Sequence, residues 1–319
     1  MWRALIERSL GPAGAHPALR AALHDPTYYH TLLRRRGRST HTSVRRLIHT
    51  DAKRTFSDHR HARRLQASCA RVLDAYSHRN PQLGYCQSMN FLAGALLLFM
   101  REGAAFWCLC MLLEKILPES MYAAQLQGTT VELRVLCDLL SRSHGTLLSH
   151  LHRHQLSIDA CCSRWLMTCF ITVLPLPAAL RIWDLLLLDA ACKADAGGSG
   201  PSAVPLVGCV SLLALQAPRL LALHDADLLL QALLSLPAQL SIAQLDALCT
   251  AIARFVAGGS LDAHMALGQQ QLSPLREMHR RVVDAELSLR GEGSLPSGAE
   301  AEDGNAGGGN ENDGAATAD

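Results

Sequence analysis

Residues 80–90 read Asn80-Pro81-Gln82-Leu83-Gly84-Tyr85-Cys86-Gln87-Ser88-Met89-Asn90, and the apolar stretch Phe91–Met100 follows them. Proline and glycine shape a turn, after which an apolar helix begins. Polar Gln87 and Asn90 stand at its start, where backbone N–H groups without helical partners can hold an anion or a polar loop. A lone glutamine there is more often an N-terminal helix cap or a residue that forms a hydrogen bond in the core. The stretch predicts a buried helix that is entered through a polar turn.

The same helical pattern extends over most of the chain. The chain has 319 residues, of which 49% are hydrophobic and only 5% aromatic, so the core is rich in leucine and alanine. Apolar residues recur at helical spacing from about residue 17 to 290, with no competing alternating pattern. The predicted helices include Leu65–Tyr76, Met89–Met100, Ala105–Leu117, Val131–Leu151, Trp165–Leu174, Ala178–Leu188, Leu228–Leu236 and Leu245–Val256. We therefore predict an all-α fold, with one helical domain over residues 1–290.

Two segments lack this pattern. Residues 193–203 contain Gly197-Gly198-Ser199-Gly200-Pro201 and are predicted to form a flexible loop inside the domain. Residues 291–319 are rich in Gly, Ala, Asn, Asp and Glu with almost no apolar side chains, which predicts a disordered acidic tail.

Charge is distributed unevenly along the chain. The first 64 residues hold fourteen Lys and Arg against four Asp and Glu, a net of about +10. After Arg290 there are seven acidic residues and no Lys or Arg. A basic N-terminal part could meet an acidic protein, a phosphate or an anionic membrane, or could simply be a solvated helical face. The basic run Arg34–Arg38 lacks the interleaved aromatic residues of a nucleic-acid-binding module, so we expect no nucleic acid partner.

Cysteine usage and hydropathy indicate the compartment. The eleven cysteines lie in apolar runs without Cys-x-x-Cys pairs, which predicts reduced, buried thiols and no metal knuckle. The N-terminus does not resemble a secretory signal. The apolar stretch Phe91–Met100 is too short to span a bilayer. We expect a soluble cytoplasmic protein.

Two further segments carry polar residues that packing alone does not require. In Ile48–Phe56, the residues Ile48, Asp51 and Arg54 are three apart and share one face of a helix. The simplest interpretation is a surface helix with an Asp51–Arg54 ion pair. In Leu174–Asp184, Trp183 is predicted to be a buried anchor, with Arg181 and Asp184 flanking it as a structural ion pair.

Together, in this order and spacing, the three segments resemble the signature of the TBC domain family of Rab GTPase-activating proteins. The matching residues are Ile48, Asp51, Arg54, Thr55, Phe56; Gly84, Tyr85, Gln87, Met89, Asn90; and Leu174, Pro175, Leu180, Arg181, Ile182, Trp183, Asp184. The chain departs from the family pattern in having Ser88 in place of the usual glycine and Ser57 in place of a common proline. It begins within what resembles the family's opening Trp segment, so we expect a truncated first helix.

The resemblance implies two helical lobes and a mechanism in trans. Arg54 is expected to contact the γ-phosphate of GTP on a Rab GTPase, and Gln87 to orient the attacking water. Asp51 is expected to hold Arg54, and Tyr85 to position the Gln87 turn. The protein is then an enzyme activator with no reaction of its own. It needs no cofactor or metal, because the partner carries GTP and Mg²⁺.

Two alternatives remain from the sequence. The chain could be a TBC-like scaffold that binds a Rab without activating it, although both Arg54 and Gln87 are present. A helical adaptor unrelated to GTPases would fit the leucine periodicity but leaves the three motifs as coincidence. For the GTPase-activating protein that the resemblance implies, we expect a cytoplasmic location with peripheral recruitment to endomembranes.

Overall fold

In the computed structural model the fold is described for residues 1–11, 20, 22–23, 25, 27–35, 42–118, 120–123, 125–198, 200–258 and 269–292. These residues form fourteen α-helices, and none of them is in a strand. The helices are α1 Trp2–Arg8, α2 Tyr28–Arg35, α3 Thr42–Arg54, α4 Ala62–Arg79, α5 Met89–Leu97, α6 Glu102–Met111, α7 Gln127–Ser143, α8 Gly145–Arg153, α9 Asp159–Met167, α10 Leu176–Asp195, α11 Val204–Leu221, α12 Ala226–Ser235, α13 Ile242–Val256 and α14 Gln269–Glu292. The predicted all-α fold is confirmed.

The first lobe is built around α4. Helices α2, α3, α5 and α6 all pack against α4, and α5 also contacts α3 and α6. Helix α5 is apolar on nearly every side, and seven of its nine residues are buried. A helix that is apolar all round has to lie inside the fold, and this position fixes where its polar first turn meets α3.

The second lobe is built around α11. Helices α7, α8, α9, α10, α12 and α13 pack against it, and α14 covers α7. Arg276 on α14 forms a bidentate, buried ion pair with Glu132 on α7, at 2.6 and 2.8 Å. By length and composition α11 could cross a membrane, but 72% of it is buried inside the fold, as in a core helix.

Helix α1 joins the two lobes. It packs on α6 of the first lobe and on α10 of the second. The indole N–H of Trp2 donates to Asp184 Oδ1 at 2.5 Å, and its ring lies 5.6 Å from that of Trp183. Trp183 is fully buried, as predicted, and its own N–H donates to the Cys169 carbonyl.

The predicted ion pair between Arg181 and Asp184 is wrong. Arg181 Nη1 lies 2.5 Å from Asp246 Oδ1 on α13, whereas Asp184 accepts from Trp2. The two partners, Asp246 on α13 and Trp2 on α1, come from helices that pack beside α10. A contact between helices has replaced the local one, and the sequence spacing alone could not show it.

Several helix boundaries also differ from the prediction. The segment predicted as one helix over Val131–Leu151 is two helices, because α7 ends at Ser143 and α8 begins at Gly145. Helix α9 ends at Met167, short of the predicted Leu174. Helix α10 continues to Asp195, into the predicted loop 193–203, where Lys193 Nζ contacts the Asp189 carboxylate at 2.9 Å and the Pro201 carbonyl at 3.1 Å.

Most of the cysteines are buried thiols, as predicted. All eleven cysteines are free, and eight are buried, whereas Cys86 and Cys137 are half-buried and Cys192 is exposed.

Of the basic run, Arg34 and Arg35 end α2, and residues 36–38 lie outside the described residues. Helix α14 continues to Glu292, two residues into the predicted tail, and the rest of the tail, residues 293–319, also lies outside them.

Candidate functional site

The end of α3 presents an arginine anchored to a buried carboxylate. Ile48 and Ala52 face the core, and Asp51 lies beside them with only 6% of its surface exposed. Arg54, the last residue of the helix, lies one turn further on with 48% of its side chain exposed. Its Nη2 is 2.8 Å from Asp51 Oδ1. The ion pair predicted from the spacing of three residues is therefore present.

Tyr85 occupies the other oxygen of the same carboxylate. Its hydroxyl donates to Asp51 Oδ2 at 2.6 Å. Burial raises the pKa of Tyr85 well above its usual range, and the hydrogen bond to Asp51 raises the pKa further. The phenol therefore stays protonated and keeps its donor role. One carboxylate thus connects the end of α3 to the turn before α5.

Asn90 adds a second connection between the same two segments. Its Nδ2 donates to Thr55 Oγ1 at 2.8 Å and approaches the Asp51 carbonyl at 3.4 Å. Its Oδ1 accepts from the Ser88 backbone N–H at 3.2 Å. Asn90 and Thr55 are both completely buried. We call the residues Asp51, Arg54, Thr55, Tyr85 and Asn90 the Asp51 network.

A glycine on α5 allows these segments to come close. A Cβ atom on Gly94 would lie 2.6 Å from Thr55 Cγ2 and 2.9 Å from the Phe56 ring, closer than side chains can approach. Gln66 Nε2 donates to the Lys53 carbonyl at 2.8 Å, at the C-terminal end of α3, where backbone carbonyls have no partner within the helix. Sequence reasoning missed both residues, although a glycine inside an apolar helix was a visible signal of close packing.

The turn between Tyr85 and α5 presents Gln87 to solvent. Gln87 is exposed, and no hydrogen bond to its side-chain amide is found within the described part of the chain. The next residue, Ser88, has φ +91°, in the left-handed region that favours glycine. The family pattern has glycine at this position. This chain therefore has a serine where the backbone conformation favours glycine.

The structure brings some predicted site residues together and not others. Arg54, Asp51 and Tyr85 form one continuous chain of contacts, and Gln87 follows Tyr85 by two residues. The motif residues Arg181, Trp183 and Asp184 belong to the contacts of α10 with α1 and α13. An open cleft of about 1350 Å³ in the first lobe is lined by neither set.

The chemistry available to the Asp51 network is electrostatic. An arginine carries five N–H donors in a planar fork, and Asp51 engages Arg54 through Nη2. The remaining donors can bind the oxygens of a phosphate, which guanidinium matches in geometry and charge. Gln87 offers a neutral donor and acceptor nearby in the chain, as needed to hold a water.

Comparison with known proteins identifies the class. The profile of the family described as "RabGAP-TBC: Rab-GTPase-TBC domain" matches residues 2–206, well over half of the chain. The chain belongs to this family.

Several curated relatives share part of the chain. Human TBC1 domain family member 2A is 37% identical over 172 residues, which cover 52% of this chain and 18% of the relative. Growth hormone-regulated TBC protein 1 of Xenopus laevis is 36% identical over 45% of this chain and 43% of its own length. The GTPase-activating protein MSB4 of Saccharomyces cerevisiae is 34% identical over 44% of this chain and 35% of its own length. The chain thus spans less than half the length of these relatives.

Solved structures agree in fold. The Chlamydomonas flagellar RabGAP TBC domain superposes with a TM-score of 0.59 and 27% identity, covering 71% of each chain. The Ypt/Rab-GAP domain of Gyp1p superposes with a TM-score of 0.60 over 80% of this chain and 86% of its own. At 18% identity, the second similarity concerns the fold alone.

Proposed function

We propose that this chain accelerates GTP hydrolysis by a Rab-family small GTPase, with Arg54 and Gln87 acting in trans. The observation that carries the proposal is the shared carboxylate of Asp51, which binds Arg54 through one oxygen and Tyr85 through the other. This arrangement fixes the relative position of two segments that must reach one nucleotide. The name of the Saccharomyces cerevisiae relative, GTPase-activating protein MSB4, supports the same class of activity.

In this mechanism Arg54 neutralises charge that develops on the phosphoryl group in the transition state. An arginine supplied in trans accelerates hydrolysis by about 10³–10⁵, which corresponds to about 4–7 kcal/mol at 1.36 kcal/mol per decade. Asp51 and Tyr85 are positioning residues, because they act through Arg54 and the turn. Gln87 orients the attacking water. Mg²⁺ and GTP come with the partner, so this chain contributes no metal to the reaction.

The test is single-turnover GTP hydrolysis by a panel of purified Rab GTPases, with and without the protein. We expect strong acceleration of at least one Rab by the wild type. Arg54→Lys keeps the charge but loses the planar fork, so most of the acceleration should be lost. Lys53→Ala is a matched control, because Lys53 is the neighbouring exposed cation on α3 and should be dispensable for hydrolysis.

Two outcomes would contradict the proposal. Full acceleration by Arg54→Lys would remove the arginine from the mechanism. Tight binding of a GTP-bound Rab by the wild type, without acceleration of any Rab in the panel, would identify the chain as a scaffold. Binding and hydrolysis therefore have to be measured on the same preparations.

We also propose that the protein is cytoplasmic and is recruited peripherally to anionic endomembranes through the cleft in the first lobe. Four exposed arginines line this cleft: Arg3, which pairs with Glu7, and Arg60, Arg64 and Arg101. Each cation near an anionic leaflet contributes about 1 kcal/mol. The double variant Arg60→Glu/Arg64→Glu should lose binding to phosphatidylserine vesicles, whereas Arg142→Glu/Arg219→Glu, with two other exposed arginines reversed, should keep it. Equal binding by both variants would rule out the cleft as the membrane contact.

A further inference from the structure

Three histidine rings converge in the second lobe, outside the Asp51 network. His150 and His154 are one turn apart at the end of α8 and therefore lie on the same side of the helix. His224 comes from the turn between α11 and α12. The ring centroids are 4.8 Å apart for His150 and His154, and 5.9 Å apart for His150 and His224. One ring nitrogen from each residue can be chosen so that all three lie within 4.8 Å of one another.

The hydrogen bond of the buried histidine leaves one of its ring nitrogens available as a ligand. His150 Nε2 lies 2.8 Å from the Leu223 carbonyl oxygen, which can only accept, so Nε2 carries the proton and donates it. The lone pair of His150 is then on Nδ1. Histidines that bind metals characteristically donate their other ring N–H to a carbonyl or carboxylate, which fixes the tautomer and the ring. Leu223 precedes His224, so one short segment both orients the first ring and supplies another.

We propose that His150 Nδ1, His154 and His224 form a three-histidine site for zinc. Three imidazoles with water in the fourth position are a recognised zinc coordination. Zinc–nitrogen bonds of about 2.0–2.1 Å place tetrahedral ligands about 3.3 Å apart, so the rings must move closer by an ångström or more. His154 is half-buried and His224 exposed, so the movement would fall to these two rings, while Leu223 holds His150.

Arg153 opposes metal binding in the metal-free state. Its Nη2 lies 3.4 Å from His150 Nδ1, the nitrogen assigned to the metal. Arg153 is exposed, so its side chain can swing into solvent when the metal binds. Its charge then weakens the site without abolishing it. Removing the guanidinium should tighten zinc binding, which a purely structural histidine cluster would not show.

The site would connect two elements of the second lobe that are distant in the sequence. Zinc would tie the end of α8 to the turn before α12, and a ligand that binds only the folded state raises its stability. This inference is independent of the proposed GTPase activation, because none of its residues belongs to the Asp51 network.

The experiment uses the whole chain without a polyhistidine tag, titrated with zinc by calorimetry and with cobalt by absorption spectroscopy. We expect one equivalent of either metal, a rise in melting temperature with zinc, and cobalt ligand-field bands without a thiolate charge-transfer band. The absence of that band separates the histidine site from metal held by any of the eleven cysteines. A thiolate band, or no stoichiometric binding, would overturn the proposal.

Variants at the exposed ligands complete the test. His154→Gln and His224→Gln should each weaken zinc binding by at least about tenfold, and Arg153→Gln should tighten it. His152→Gln is the matched control, because His152 is an exposed histidine on the same turn of α8 that is not part of the cluster. Wild-type affinity in both ligand variants would overturn the proposal. These variants avoid His150, whose burial would make loss of folding hard to separate from loss of metal.

Discussion

The Asp51 network and the surroundings of Trp183 are both built from motif residues, but they are held together differently. Asp51 is buried with polar partners on both oxygens, and its arginine partner is 48% exposed. Trp183 is fully buried against Trp2, and its charged neighbours Arg181 and Asp184 bind residues of other helices. In the Asp51 network a buried carboxylate holds an exposed arginine, which leaves the arginine free to contact a partner. Around Trp183 the aromatic ring is enclosed, so this motif is suited to stabilising the fold.

The largest effect should come from removing the exposed groups of the first region. Arg54→Lys and Gln87→Ala should each lose most of an acceleration worth about 4–7 kcal/mol. Residues that serve one transition state are not additive, so the double variant should be little worse than the poorer single variant. Single-turnover hydrolysis measures this, and Gln82→Ala, in the same turn, is the control. Both variants should still bind the Rab. A double variant whose rate loss equals the product of the two single losses would show that Arg54 and Gln87 act independently.

Trp183→Ala should produce the largest loss of stability and thereby mark the other region as structural. Truncating a buried tryptophan costs about 3–5 kcal/mol, a large share of the stability of a domain. We expect lower soluble yield and a clearly lower midpoint in denaturant unfolding. A variant that keeps its stability but loses GTPase activation would instead assign Trp183 to the partner-facing surface.

Tyr85→Phe tests whether the Asp51 network is a unit. The change removes a hydrogen bond to a buried carboxylate, a contact worth about 1.5–3 kcal/mol. We expect a lower free energy of unfolding together with slower GTP hydrolysis, because Arg54 and the Gln87 turn lose their shared anchor. Chemical denaturation and hydrolysis assays on one preparation test the coupling. Loss of stability at full activity would show that Tyr85 supports the fold without positioning the site.

Gly94→Ala should push the two segments of the network apart. The added methyl would meet Thr55 Cγ2 at 2.6 Å, and overpacking of this kind costs about 1–3 kcal/mol. Ala95→Gly, at the next position of the same helix, controls for changes in α5 that add no volume. A fully stable and active Gly94→Ala protein would show that α3 and α5 are not tightly packed.

Ser88→Gly should have the smallest effect, and it should be favourable. Ser88 has φ +91°, which glycine adopts without the steric cost of a Cβ. The Ser88 side chain makes no capping hydrogen bond that would be lost, so we expect a gain of about 0.5–1 kcal/mol. Ser88→Ala is the control, because alanine retains the Cβ and should bring no such gain. Thermal unfolding of the three proteins gives the comparison, and an equal rise for both variants would contradict the argument from strain.

The sequence predicted what depends on local spacing. Helical periodicity gave the all-α fold, three-residue spacing gave the Asp51–Arg54 pair, and aromatic character gave the burial of Trp183. Contacts between segments far apart in the chain were not accessible. The partners of Arg181 and Tyr85 lie 65 and 34 residues away, and no local pattern selects them. Gly94 was visible as a glycine inside an apolar helix, but no local pattern indicates the side chains that it meets, Thr55 and Phe56 in the turn after α3.

The junction made by Trp2 has a consequence for biosynthesis. Its hydrogen bond joins residues 182 positions apart, so during translation Trp2 is synthesised long before Asp184, its partner on α10. At 5–20 residues per second the delay is roughly 10–40 s. Throughout that interval the contact of α1 with α10 cannot form, although α6 is synthesised earlier and can already pack on the helix. Closing the two lobes is therefore a late step that the order of synthesis imposes on this fold.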